Sequence, residues 1–427
     1  MSAALRPALR SFAVPNYRRY FIGQLVSLSG TWMQVVAETW LVLSLTHSGV
    51  AVGVGAALQF TPMLLGGAWG GLIADRFDKR RLLIATQTAM ALPALALLTL
   101  TATHALALWM LYLLIFVRGA VNAVDNPARQ AFLVELVGPE RLVNAVSLGS
   151  ALVNSARTIG PALAGVVIAT IGVQPCFALN AASFAAMILA LRGMDTAALR
   201  SAPPAVRKPG QVRGGLRYVR TTPALWIPLA LMAVVGTFTF NFQVLLPLLA
   251  TFSYGGGAGA YATLTTAMGL GAIVGAVANG TRSRVRPALL AGAAAAFGAL
   301  VLAAATAPSL ALAAAALVPV GAASVVFAAS VNSFLQLAVA PHMRGRVMAL
   351  YSVVFLGSTP IGGPLMGWIA GSAGPRAALA LGGLVALAAA AWTRRAFARA
   401  GVAESSACTS ARSPAGGPAP APSSSTS

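Results

Sequence analysis

The chain has 427 residues, 58% of them hydrophobic and 9% charged, with a net charge of +21 and a mean hydropathy of +0.80. Soluble domains carry roughly 25% charged residues, so this composition excludes an ordinary water-soluble domain. The bases are dealt out singly between apolar stretches rather than gathered into a patch, so no nucleic-acid partner is expected.

A hydrocarbon core of about 30 Å needs about 20 apolar residues at about 1.5 Å each. Twelve stretches meet that length, near 20–45, 50–74, 82–101, 106–124, 143–170, 174–192, 225–250, 258–280, 287–306, 309–335, 346–371 and 375–394. Lipid offers no partner to backbone groups, so each is expected to be a helix. Arg6, Arg10, Arg18 and Arg19 precede the first stretch as they would a signal peptide, but no A-x-A site follows, and it reads as a retained span.

Between the second and third stretches, Gly71 to Arg81 places Asp75, Arg76, Asp78, Lys79, Arg80 and Arg81 in one short segment, which reads as a charged loop outside the bilayer. The segments on the side of the N-terminus carry 4, 4, 2, 7, 3, 2 and 4 Lys or Arg in chain order, together 26 of 29. The opposite connections carry only Arg376, and Arg118 and Arg157 lie within spans. Positive charge marks the cytoplasmic side. A multi-pass plasma (inner) membrane protein with both termini cytoplasmic is therefore expected. The longest connection, 193–224, reads as a cytoplasmic linker between two groups of six spans, 20–192 and 225–396. Residues 1–19 form a cytoplasmic segment, and 397–427 a tail rich in Ala, Pro and Ser that reads as disordered.

The second group repeats the first. Gly71–Arg81 has a weaker copy at Gly275–Arg284, with Asn279 in place of Asp75. Phe132-Leu133 with Pro139 recurs as Phe334-Leu335 with Pro341, 202 positions on, and Gly160-Pro161 as Gly363-Pro364, 203 positions on. Six spans per half give both halves one orientation, with the substrate path expected between them.

In the first span Gln24, Ser27, Thr31, Gln34 and Glu38 follow at steps of 3, 4, 3 and 4. At 100° per residue they share an arc of about 80°. Two readings stand: a stripe lining a water-filled cavity, or hydrogen-bonding contacts between helices. Glu38 reads as the only acid clearly inside a span, where an ionisable group costs about 2.5–3.5 kcal/mol, and is the candidate proton-coupling carboxyl. The alternative is a buried Glu paired with an Arg. Arg118, Asn122 and Asp125 share a face of the fourth span, with Asp125 expected near the surface. Ser150, Asn154 and Arg157 share a face of the fifth. Asn241 and Gln243 stand near the repeat position of Glu38. Thr31, Gln34, Asn122, Asn154, Arg157, Asn241 and Gln243 are thus candidate cavity residues beside Glu38. Gly160-Pro161 is expected to bend the fifth span.

These residues resemble the major facilitator superfamily over roughly 15–396. Gly71 to Arg81 is similar to its loop 2–3 signature, departing at Asp78, where glycine is common. Gly160-Pro161 with Gly165 resembles the antiporter signature of span 5, and Arg118 resembles the membrane arginine of proton-linked members. The run Asp125 to Phe132, followed by Val134-Glu135-Leu136-Val137, is similar to the subgroup holding siderophore exporters and macrolide efflux proteins. The resemblance implies an all-α membrane fold of twelve helices in two six-helix bundles. It also implies a conformational latch in which Asp75, with Gly71, Arg76, Lys79, Arg80 and Arg129, docks on the N-terminus of span 11, whose helix dipole is positive there.

The expectation is a monomeric secondary transporter that uses protons to export a small, partly hydrophobic molecule, such as a drug, macrolide or siderophore. An importer of a metabolite and a membrane sensor without transport are the alternatives. No G-x-x-x-x-G-K-[ST], H-E-x-x-H or G-x-S-x-G motif is present. His47, His104 and His342 fall in separate loops. No cofactor, metal or enzymatic role is expected.

Overall fold

The computed structural model describes residues 10–200, 211–280, 286–340 and 343–401. Arg282, Arg284, His342 and the tail beyond residue 401 lie outside these, as does Pro341.

Twelve long helices follow the twelve apolar stretches: α1 Pro15–Thr46, α2 Gly49–Arg76, α3 Lys79–Ala102, α4 Leu108–Val137, α5 Leu142–Ile171, α6 Gln174–Arg192, α7 Pro223–Ser253, α8 Ala258–Gly280, α9 Pro287–Ala305, α10 Leu310–Ala338, α11 Arg344–Ala373 and α12 Pro375–Arg399. Among the described residues, eleven helical segments are long and apolar enough to cross a membrane. The twelfth helix, α1, has 32 residues but is diluted by its polar stripe. A short helix, Gln211–Thr221, lies in the segment read as a linker.

The ends have local causes. Asp78 caps α3 by accepting from the Arg81 amide at 2.8 Å, as an aspartate at an N-cap does. That contact accounts for an acid where the related loops carry glycine. His47 and His104 turn the chain after α1 and α3 with φ of 50° and 54°. Two helices depart from the expected stretches. The fourth helix runs past 124 to Val137. The seventh is interrupted: its helix stops at Phe238 and resumes at Phe242. At the break the Thr239 hydroxyl donates to the Gly382 carbonyl of α12 at 2.8 Å, and the Asn241 amide to Thr237 O at 2.7 Å. These side-chain bonds replace part of the lost helical ladder.

Packing bears out the duplication. In the first six helices, α2 packs on α4, α1 on α5 and α6, and α3 on α4 and α6. Adding six to each number gives the second half's pattern: α8 on α10, α7 on α11 and α12, and α9 on α10 and α12. The halves meet through α2 with α11 and α5 with α8, pairs that exchange under the same operation.

The α2–α11 seam is closest where Gly49 and Gly53 face Gly363 and Gly367; a Cβ added to Gly53 would lie 2.7 Å from Pro364 Cα. On the α5–α8 seam Gly165 abuts Ala262, and a Cβ on Gly269 would lie 2.6 Å from Thr158 Oγ1. Both close contacts lie toward the end opposite residues 15 and 399. Toward the end that carries those residues, the same helix faces part. A Cβ at Gly67, Gly149 or Gly345 would meet nothing within 4 Å. Ser147, Ala151, Ala349 and Val353 are exposed there, as is Val143 at 81%. The molecule is therefore closed at one end and open at the other.

Candidate functional site

The polar stripe of α1 faces other helices of its own half. Glu38 is 2% exposed and Arg118, from α4, 4%. Arg118 donates from Nη2 to Glu38 Oε2 at 2.6 Å and from Nε to Oε1 at 3.2 Å. Gln34 Nε2, one turn back, donates to the same Oε1 at 2.7 Å. Gln34 in turn accepts from Asn180 of α6, whose Oδ1 accepts from Ser183 Oγ at 2.9 Å. Both oxygens of Glu38 thus accept from donors. Glu38 is not isolated, as the stripe suggested; like Ser27 and Gln34, it bonds to a neighbouring helix. Thr31 is half-buried and donates to its own helix, to Ser27 O at 2.8 Å.

Asp125 is likewise shielded from solvent, 1% exposed. Thr86 Oγ1 and Gln87 Nε2 of α3 donate to its Oδ1 at 2.6 and 3.0 Å, and Arg129 pairs with its other oxygen. Ser27 Oγ of α1 donates to Gln87 Oε1 at 3.1 Å. With its lone pairs engaged, this carboxylate can sit inside a helix, and α4 runs on past it. Asn122, at the edge of the same face, is exposed.

A crevice of about 10 Å³, room for roughly one water, lies beside the Glu38–Arg118 pair. Glu38, Thr39 and Gln59 line it from the first half and Gln243 from the second. Gln243 Nε2 donates to Gln59 Oε1 at 3.0 Å across the seam. Asn241, two residues earlier, is buried in the α7 break, and its Oδ1 has no hydrogen-bond partner among the described residues.

On α5, Gly160 packs against α1, where an added Cβ would lie 2.6 Å from Ser29 O. This close approach is within its own half rather than across the seam, and Pro161 sits inside a helix assigned without interruption from Leu142 to Ile171. The apolar Ile159, Leu163 and Val166 are exposed on the opposite side. Arg157 is exposed and stacks over Trp32 of α1, 5.0 Å from the ring centroid. Asn154 is half-buried and donates to Ser150 O at 2.9 Å.

The charged loop binds chiefly its own half. Lys79 pairs with Glu135 of α4 at 3.4 Å. Arg80 donates to Leu191 O and Arg192 O at 2.7 and 3.1 Å, satisfying the carbonyls that end α6. Arg129 holds Asp125. In this state, with the two inner ends apart, these three bases are engaged within their own half. Asp75 is half-buried, Gly71 buried and Arg76 exposed.

Sequence reasoning missed Thr86, Gln87, Asn180, Gln59 and Trp32. The first four carried one signal, a polar side chain alone in an apolar helix; Trp32 carried none.

Two pseudo-symmetric six-helix bundles that meet along two seams, the first holding buried ion pairs, define a multi-pass membrane transporter of the major facilitator type. The chain belongs to the transmembrane secretion effector family, whose model matches residues 7–415. It is 26% identical over 383 residues to the enterobactin exporter EntS of Citrobacter koseri, covering 86% of this chain and 88% of the relative. It is 33% identical over 174 residues to the staphyloferrin A transporter of Staphylococcus aureus, covering 40% of this chain and 44% of the relative. That match and one to YfiS of Bacillus subtilis span about half the length of those relatives. In fold the chain is similar to the nucleoside transporter NupG (D323A mutant), with TM-score 0.72, 14% identity and coverage of 90% and 100% of the two chains. A bacterial homologue of the human lysosomal transporter Spinster, inward-facing and occupied, gives TM-score 0.69 at 14% identity, covering 91% and 97%. The family and its relatives are transporters, not enzymes.

Proposed function

We propose that the chain exports a small, partly hydrophobic molecule in exchange for protons, by alternating access, with a siderophore as the leading substrate class. The observation that carries this reading is the buried Glu38–Arg118 pair beside a cavity that both halves line. An arginine keeps its charge, so proton loading of Glu38 requires the pair to part. While both carboxylate oxygens accept from Arg118 and Gln34, the groups bonded to Glu38 are donors, and a carboxyl O–H would find no acceptor among them. The closed pair is the proton-released form. With the termini assigned to the cytoplasm from the distribution of Lys and Arg, the open end faces the cytoplasm, where an exporting antiporter releases its proton and takes up substrate.

The siderophore class rests on the enterobactin exporter, which this chain matches over most of both lengths. Asp125 and its arginine are proposed to relay the movement of α4 to α3, since Asp125 bonds to Thr86 and Gln87 there. Asp75 is proposed to latch α2 to the N-terminus of α11 in the opposite, outward-open state. The test is transport in proteoliposomes with an imposed pH gradient, using ferric-free enterobactin as the first substrate. Gradient-driven uptake into inside-out vesicles is expected, and Glu38→Gln is expected to lose it. Uptake of equal rate with and without the gradient would remove proton coupling from the proposal.

A further inference from the structure

We propose that Arg157, stacked on Trp32, is an anion-recognition site that holds a carboxylate or similar planar oxyanion of the transported molecule. This rests on the transporter reading and deepens it by naming the group the site would take.

The charges within the helices do not balance. Away from the helix ends, the first half holds two acids, Glu38 and Asp125, and each has an arginine, Arg118 and Arg129. Arg157 is the fifth such charge, and among the described residues it makes no ion pair or hydrogen bond. Its one specific contact is the Trp32 ring. An uncompensated arginine within a span is costly, so a role in packing alone would be served better by a neutral side chain.

Its position explains how the charge is tolerated. On α5, Gly160 faces α1, Thr158 and Gly165 face α8, and Ile159, Leu163 and Val166 form the apolar exposed face. At 100° per residue, Arg157, Asn154 and Ser150 point between the α1 and α8 directions, on the side away from those apolar residues. That is the direction of the space between the halves, and Arg157 is exposed there. The space opens at the end where Ser147 and Ala151, about three and two turns back toward the N-terminus of α5, are also exposed. Water reaching Arg157 by that route lowers the cost of its charge.

The Trp32 face restrains the guanidinium through a cation–π contact, so less freedom is lost when its N–H groups bind. A planar fork with no protein acceptor matches a carboxylate in a bidentate geometry. Lysine, a flexible point charge, would reproduce the attraction but not the fork.

The test is equilibrium binding to the purified full-length protein in nanodiscs, with no proton gradient, so that failure of coupling leaves it readable. The probes are 1-naphthoate and its neutral isostere 1-naphthamide. The anion should bind about tenfold or more tightly than the amide, the discrimination expected of charge-assisted hydrogen bonds. Arg157→Gln should bring the two affinities within about twofold, and Arg157→Lys should leave an intermediate preference. Folding of each variant is checked by its elution profile and unfolding temperature. If Arg157→Gln does not fold, Arg157→Lys carries the test, since the preference must fall. No binding of 1-naphthoate by the unaltered protein, equal binding of both probes, or an undiminished preference in the variants would each overturn the proposal.

Discussion

Glu38 and Arg118, 80 positions apart, meet through two hydrogen bonds of 2.6 and 3.2 Å in the interior of the first bundle. The pair joins α1 to α4 and borders a cavity that Gln243 lines from the other bundle. A buried pair is weak evidence of net stability, but removal of one partner leaves an uncompensated charge.

Arg118→Gln alone should therefore destabilise the protein by about 3–5 kcal/mol, and Glu38→Gln by a similar amount. The double variant Glu38→Gln with Arg118→Gln should recover much of that loss, because neither charge remains. Thermal unfolding in one detergent compares the three. Additive losses in the double variant would show that the two residues do not act as a pair.

Asp125→Asn should lower stability by about 1–3 kcal/mol, because Arg129, Thr86 and Gln87 lose the carboxylate they share. Gln130→Ala, at an exposed position on the same helix, should stay within about 0.5 kcal/mol of the unaltered protein. Equal unfolding temperatures for the two variants would place Asp125 outside the load-carrying network of the bundle.

Gly53→Val should wedge α2 away from α11, since even a Cβ at Gly53 would lie 2.7 Å from Pro364 Cα. Overpacking of about 1–3 kcal/mol should raise the labelling rate of a cysteine at Ala56 about tenfold. Ala56 is buried on that seam, where a Cβ on Gly363 would lie 3.7 Å from its Cβ. A rate equal to that of Ala56→Cys alone would mean that the seam does not hold this end shut.

Asp75→Asn bears on the proposed latch. If Asp75 stabilises the opposite state, the variant should spend more time in the state seen here. A cysteine at Val143, in the open mouth, should then label faster, and one at Ala56 more slowly. Unchanged labelling at both positions would leave Asp75 without a latching role.

Much of the architecture was legible in the chain. Each apolar stretch became a helix, because hydrocarbon leaves the backbone no other way to satisfy its polar groups. The near-constant offset of Gly160-Pro161 and Gly363-Pro364 reflected a packing pattern that repeats helix for helix. The partners of Asp125 were not legible, because the contacts that bury it come from α3, 38 and 39 residues away in the chain.

The sequence by itself determined the solvent, the number of spans and their duplication, since hydropathy and repeat spacing are written along the chain. The partners of its intramembrane charges were decided by the tertiary structure. The α1 stripe was compatible with water or with neighbouring helices, and only the approach of α3, α4 and α6 gave Ser27, Gln34 and Glu38 their hydrogen-bond partners. The same packing left Arg157 with Trp32 and no carboxylate. It also closed the halves at the glycine seam while parting them at the other end. Such choices depend on distances between helices far apart in the chain, which no local pattern encodes.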